Sequence, residues 1–464
     1  MKFTFTSLAI FAVAACAGPS PFVRTPTSLP AVWRNSGNFP TASPSRDLSR
    51  WWQRFGDATL TSLITQALAQ SPDLATASAR IRESRARRDA EKSLLFPSLG
   101  GSSSSNSRSI NPEFGPTSES TSYSANLDAS WEIDLFGRQR SLINAASANL
   151  GTTQENFYSA QAALTSEIAI AYTNLRTNQA GLAILRRTVV TREETAKLAS
   201  WRQQAGESDS LVSSQAISSL EQARASVPSL EQAAARNRNL ISLLCGQNPG
   251  SLDSLLADGK NAIPTPPSGL AIGIPADTLR QRPDVRAAGY SLLAAAANTR
   301  AANALRYPSL NLSGSLGLSS LAASKLFNNP QTATASAIAG ISSPIFDAGR
   351  IRATIAASDA AEGQAYQGYR STVLTALSET EDALIACRCT AERLVFLEKA
   401  TSAAREADTL ARLRYQTGEI DFLAVLDTQR SLLGLEDNLL STRADRTIAY
   451  IQLYKALGGG WSNP

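Results

Sequence analysis

The chain of 464 residues contains no histidine. That absence removes the commonest general base and the commonest metal ligand. Cysteine is scarce, with Cys16, Cys245, Cys387 and Cys389 the only four. Cys387 and Cys389 lie two apart in a helical pattern, so their side chains diverge, a poor geometry for a metal or a disulfide. Together with Cys245 they are expected to be small buried side chains. There is no Cys-His pair, no carboxylate pair in a recognisable pocket pattern and no phosphate-binding glycine loop, which argues against an enzyme such as a cell-wall or lipid hydrolase. No cofactor and no metal are expected, and any energy must come from a partner. The excess of 44 basic over 39 acidic residues is slight and scattered. Only Arg80, Arg82, Arg85, Arg87 and Arg88 cluster, and they read as a solvated helix face rather than a nucleic-acid stripe. No stretch reaches ~18 consecutive apolar residues, so no transmembrane helix is expected.

What is present begins with Lys2 and the short apolar run Phe3 to Ala15. A basic start, an apolar centre and small residues at the end make residues 1–15 a secretory signal peptide. The residues before Cys16 resemble a bacterial lipobox, in which the cysteine is lipidated and becomes the mature N-terminus. Ala17 follows it, where aspartate would favour retention in the inner membrane, so the resemblance points to the outer membrane. Residues 16–56 are rich in Pro, Ser, Thr and Asn and are expected to run extended, ending in the aromatic anchor Trp51, Trp52 and Phe55.

From there the chain is one unit built twice. Arg202, Gln204, Gly206, Glu207, Asp209 and Leu211 correspond to Arg414, Gln416, Gly418, Glu419, Asp421 and Leu423 at a constant offset. Pro72-Asp73 returns as Pro283-Asp284, and Phe96-Pro97-Ser98-Leu99 as Tyr307-Pro308-Ser309-Leu310. Repeat 1 is assigned to 57–245, a Gly/Pro/Asp/Ser-rich connector to 246–276, repeat 2 to 277–460 and a tail to 461–464. Gly206 and Gly418 sit where a helix must reverse, and glycine takes positive φ without steric cost. Asp421 then reads as an N-cap of the returning helix. Each repeat therefore ends in a long helical hairpin, with tips near 206 and 418.

Between its helices each repeat changes period. Tyr123, Ala125, Leu127, Ala129, Trp131, Ile133 and Leu135 alternate strictly with polar residues, the pattern of a strand with one apolar face. Its length suits a tilted strand through a bilayer, with Trp131 and Tyr123 near the rims. β-Hairpins are predicted at 98–136 and 309–343, the strand near 98–110 chiefly because the next one needs a partner. From Arg140 to Ala205 proline is absent, and Leu150, Phe157, Leu164 and Ala171 recur every seven residues, as do Ile168, Leu175, Leu182 and Val189. Such a helix would be about 100 Å long, which demands a rod or a tunnel wall. Pro228 is expected to kink the return helix. Two two-stranded hairpins have open edges that a membrane does not tolerate, and four strands cannot close a barrel. Copies must share one, and three copies give twelve strands. The fold class is mainly α with a membrane β-barrel: a duplicated strand-hairpin plus long-helix repeat, forming a trimeric 12-stranded barrel continued by a long α-helical periplasmic tunnel.

The duplicated plan, the lipobox, Trp51-Trp52, the two Pro-Asp joints, the Gly-Glu tips and the ending Ala456-Leu457-Gly458-Gly459-Gly460-Trp461 resemble the outer membrane factor family of TolC-like exit ducts, most closely its NodT-type efflux lipoprotein branch. The resemblance covers essentially the whole mature chain. It implies a lipid-anchored homotrimer (palmitate on Cys16) in the outer membrane, reaching into the periplasm. There it serves as the passive exit duct of a tripartite efflux system exporting small molecules. The implied partners are a periplasmic adaptor (membrane fusion protein), an inner-membrane pump of resistance-nodulation-division type and outer-membrane lipid. Gly206, Glu207, Asp209, Gly418, Glu419 and Asp421 correspond to the tips that meet the adaptor, though for the glycines turn geometry alone is a sufficient reason. Leu423 and Asp427, one helical turn apart, correspond to the periplasmic gate, with Arg430 one turn further placed for an ionic contact in the closed state. Leu211, Gln215 and Ser218 hold the matching places in repeat 1. Without the resemblance Asp427 reads as a solvated helix residue. The alternatives are the outer-membrane component of type I protein secretion and a non-conducting, periplasm-spanning structural lipoprotein.

Overall fold

The computed structural model describes residues 29–35, 48–111, 113–257, 262–267 and 279–461. The signal peptide, Cys16, most of the expected extended segment, parts of the expected connector and residues 462–464 lie outside the described residues. Two compact units emerge, one around residues 83–150 and 290–369, the other holding most of the remaining described chain.

The first unit contains four strands: β1 (Ser98–Ile110), β2 (Ser118–Ile133), β3 (Ser309–Ser320) and β4 (Ala333–Ser342). They form one antiparallel sheet in the order β1-β2-β3-β4. The sequence suggests two separate hairpins; the structure joins them, because β2 and β3 pair from Tyr123↔Ser320 to Ile133↔Leu310. Opposed residues of an antiparallel pair lie on the same face, and the register keeps the apolar face continuous. Leu127, Ala129 and Trp131 of β2 oppose Leu316, Gly314 and Leu312 of β3, which in turn oppose Ala335, Ala337 and Ala339 of β4. The other face is polar. There the Ser102 hydroxyl donates to Asp128 Oδ2 at 2.9 Å, and the hydroxyls of Ser104 and Ser124 lie 2.9 Å apart. These contacts supply the pairing that the weak alternation of β1 does not advertise. At the foot of β2 the Trp131 indole N–H donates to the Leu95 carbonyl at 3.0 Å. Strands β1 and β4 each keep one edge unpaired within the sheet.

The second unit is helical. Helix α1 (Ala58–Gln70) starts at Asp57, whose side chain accepts from the Leu60 N–H. Helix α2 is Pro72–Ser93, α3 Arg138–Gln204, α4 Ser210–Leu244, α5 Asp253–Leu256, α6 Pro283–Ala304, α7 Arg350–Gln416 and α8 Phe422–Ala456. Helices α2, α3, α6 and α7 contribute residues to both units. Helix α4 runs through Pro228 without interruption. No helix among the described residues is long and apolar enough to cross a membrane.

A core cluster gathers Trp51, Leu63, Ile64, Ile168, Tyr172, Ile241 and Tyr454. The expected aromatic anchor is its centre: Trp51 stacks on Tyr454 with ring centroids 5.3 Å apart. Each return helix ends against the start of its own repeat. A Cβ on Gly246 would stand 2.5 Å from the Gln70 carbonyl oxygen, and one on Gly458 would stand 3.1 Å from the carbonyl carbon of Gln281. Beside Gly458 the buried Arg282 guanidinium donates to Asp284, Glu379 and the Ala456 carbonyl. Burial opposes its charge, and the two carboxylates outweigh that and raise its pKa. The last described residue, Trp461, is stacked on Tyr158 and covered by the guanidinium of Arg286, which also pairs with buried Glu155 at 2.6 Å. Cys245 and Cys387 are buried, but Cys389 is exposed, contrary to expectation. Two helical positions are about 200° apart, so burying Cys387 turns Cys389 outward.

Candidate functional site

The candidate site lies at the hairpin tips of the second unit. Helix α3 ends at Gln204 and α7 at Gln416, and both close with the same hydrogen bonds. The Gly206 N–H donates to the Gln203 carbonyl and the Glu207 N–H to that of Arg202; Gly418 and Glu419 repeat this with Tyr415 and Arg414. This is a Schellman closure, which needs a left-handed residue after the helix. Gly206 and Gly418 supply it at φ 76° and 79°. Asp209 and Asp421 then cap α4 and α8, accepting from the N–H of Leu211 and of Ala424 respectively. The six tip residues named from sequence are all exposed.

Just past the second tip α8 has two faces. Phe422, Val425 and Leu426 are buried in a small cluster with Ala196, Ala199, Ala411 and Tyr415. Leu423, Asp427 and Arg430 fall at helical spacing on the opposite face, and all three are exposed, Leu423 at 55%. In the first hairpin Leu211 and Ser218 are likewise exposed, while Gln215 is half-buried. The carboxylate of Asp427 thus has no counterpart there. Within this protomer, among the described residues, neither Arg430 nor Asp427 joins an ion pair. The charge that Arg430 meets is a like one, on Arg192; burial first, and Arg430 second, lower the pKa of Arg192.

Two features near the tips carry no sequence signature. The guanidinium of Arg202 lies 4.6 Å from the Tyr415 ring centre and donates to the Gln416 carbonyl at 3.1 Å, tying one hairpin to the other. Cation–π contact of this kind contributes roughly 0.5–2 kcal/mol. Further along, α3, α7 and α8 border an open cleft of about 300 Å³, whose lining includes Arg192, Asp408 and Gln429. Both juxtapose residues more than 200 positions apart, which periodicity cannot reveal. Among the described residues no group of His, Cys, Asp and Glu could hold a metal ion.

The profile of the outer membrane efflux protein family matches residues 63–247 and 274–459. The toluene efflux pump outer membrane protein TtgF of Pseudomonas putida is 32% identical over 476 residues, covering 100% of this chain and 98% of that one. The pyoverdine export outer membrane protein OpmQ of Pseudomonas putida is 32% identical over 461 residues, covering 96% and 95%. Among solved structures, the outer-membrane channel OprN superposes with a TM-score of 0.88 at 32% identity, over 96% of this chain and 99% of that one.

Proposed function

The chain belongs to the outer membrane efflux protein family, and from that membership we propose that it works as a homotrimeric exit duct, closed at its tips by a ring of Leu423 and Asp427. Its function is that of an outer-membrane channel of an efflux pump. The observation that carries the trimer is the sheet: four strands, an apolar face continuous across β2, β3 and β4, and an open edge at both β1 and β4. A bilayer admits no unpaired edge, and four strands are too few to close. Pairing β1 of one copy with β4 of the next keeps the antiparallel alternation, and three copies make twelve strands.

In that trimer the exposed stripe on α8 faces the axis. Three Asp427 carboxylates then form a ring that attracts cations, repels anions and raises its own proton affinity. Arg430, one turn further, faces Arg192 in this protomer, so its carboxylate partner belongs to a neighbouring copy. The tips at Gly206-Glu207-Asp209 and Gly418-Glu419-Asp421 meet a periplasmic adaptor, whose binding energy moves the second hairpin and opens the ring. An inner-membrane pump of the resistance-nodulation-division type supplies the energy and selects the substrate. Small molecules are the proposed cargo, since relatives of this architecture serve substrates as different as toluene and pyoverdine. Residues 1–15 are removed as a signal peptide and Cys16 carries a lipid anchor. The repeats span 57–245 and 277–460.

The test is current through the reconstituted protein in planar bilayers. Asp427→Ala is expected to raise conductance and reduce preference for cations. Wild-type current and selectivity in the variant would remove Asp427 from the constriction.

A further inference from the structure

The two open edges of the sheet are counterparts of two strands that already pair. Ser98 and Ser309 each follow a proline and open β1 and β3. Within its hairpin Ser98 lies opposite Ser130, and Ser309 lies opposite Ser342. Ser130 and Ser342 are therefore counterparts as well. The correspondence persists past the strands, because Gly137-Arg138 and Gly349-Arg350 follow those serines at equal spacing and lead into α3 and α7.

The joint inside the protomer supplies a template. Where β2 meets β3, Ser130 faces Ser313 and Ile133 faces Leu310. Both apolar side chains of that pair are half-buried. Their counterparts stand bare at the two outer edges: Ile345, just past β4, is 100% exposed, and Leu99 of β1 is 73% exposed. The counterpart of Ser313 is Ser102.

We propose that β4 of one copy docks antiparallel on β1 of a second copy in the register of the β2–β3 joint, with Ser342 against Ser102 and Ile345 against Leu99 of the next copy. This rests on the trimeric reading above and fixes which residues meet in it. The register joins like faces. Ile341 shares the apolar face with Leu310, and Leu99 and Gly101 share it with Ala129 and Leu127. The docked pair sets Ile341 against Ser103, which alternation puts on the same face as Leu99 and Gly101. A slip of one residue would set the apolar face of β4 beside the polar face of β1. A slip of two keeps the faces matched, and the glycines and serines of β1 oppose it only weakly. What excludes it is the Ile345–Leu99 contact, the copy of Ile133–Leu310.

The test is disulfide trapping in membranes carrying the full chain, with the exposed Cys389 replaced by Ser. Ser102→Cys with Ser342→Cys, and separately Leu99→Cys with Ile345→Cys, are oxidised with copper phenanthroline and resolved without reductant. Both pairs are expected to give covalent trimer that dithiothreitol reverses, and no single variant is. Ser104→Cys with Ser342→Cys tests the slip of two. Its partner lies ~7 Å along the strand, beyond ordinary disulfide reach, so it should link about tenfold more slowly. Light scattering in detergent gives the mass of each variant independently. A trimeric mass with neither expected pair linking, or with the slipped pair linking as fast, overturns the register and leaves the trimer standing. A monomeric mass overturns both.

Discussion

Replacing Arg282 with Met keeps most of the side-chain volume and removes the charge that holds the end of α8. Its guanidinium reaches Asp284 Oδ2 at 2.6 Å, Glu379 Oε2 at 2.6 Å and the Ala456 carbonyl at 3.1 Å. Charge-assisted hydrogen bonds contribute ~1.5–3 kcal/mol when desolvated. Here the two carboxylates are 36% and 49% exposed, so water replaces much of what is lost and about 1 kcal/mol each is the better figure. The Ala456 carbonyl loses its best donor and keeps only Thr380 Oγ1 at 3.5 Å, a loss of about 1–2 kcal/mol. The sum is roughly 3–4 kcal/mol against opening of this end of the helix. Melting is a blunt readout, since at about 2 cal/mol/K per residue a chain of 464 residues shifts only about 1 °C per kcal/mol. Hydrogen exchange at peptides covering 450–461 reads the local opening directly. Arg282→Met should speed it roughly 140- to 700-fold, at a factor of ten per 1.4 kcal/mol. Acceleration below about threefold would refute the reasoning, because the network would then add nothing beyond packing. Asp284 supplies a pH check. Burial raises its pKa, but Arg282 outweighs burial and holds it below the ordinary carboxylate value. Its contribution is therefore complete above that value and is lost as pH falls through the depressed folded pKa. That acid loss should shrink in Arg282→Met.

Three further outcomes follow from geometry alone. Gly460→Ala places a Cβ 2.6 Å from Thr165 Oγ1 at a φ of +93°, and overpacking plus backbone strain should cost about 2–4 kcal/mol, read as a lower denaturation midpoint. Maleimide should label Cys389 in the folded protein and spare Cys245 and Cys387, whose burial raises their thiol pKa values to about 11 and about 12; equal labelling of all three would contradict the packing. Burial also raises the pKa values of Glu155, Asp408 and Asp437. The folded state then holds protons more tightly than the unfolded one, so stability falls as pH rises from the ordinary carboxylate value through the raised one. Acidification towards the ordinary carboxylate value should raise the midpoint, and Asp408→Asn should flatten that slope.

Local chemistry was the legible part of this molecule. Gly206 and Gly418 announce reversals because few other residues accept positive φ, and Asp421 announces a cap because its short carboxylate reaches the Ala424 N–H. The alternation from Tyr123 to Ile133 announces β2. Pairing between distant segments was not legible in the same way. Nothing in the serine-rich β1, or in the run Leu310 to Leu318, states that β2 lies between them. The exposed stripe at Leu423, Asp427 and Arg430 follows from helical spacing, whereas the Arg192 cleft and the Arg202–Tyr415 contact depend on which helices become neighbours. Cys389 shows the same division: its divergence from Cys387 was evident, and which of the two would face inward was not.

The two close approaches at Gly246 and Gly458 bear on how the chain is organised as a polymer. Each repeat comes back to its own beginning, Gly246 to Gln70 and Gly458 to Gln281. The ends of each half are thus spatial neighbours, and the end of the second half also packs on Trp51 and Tyr158 of the first. A cut between Leu256 and Pro283 would leave two closed loops rather than two frayed fragments. Halves translated separately would need to find each other but not to remake their own ends.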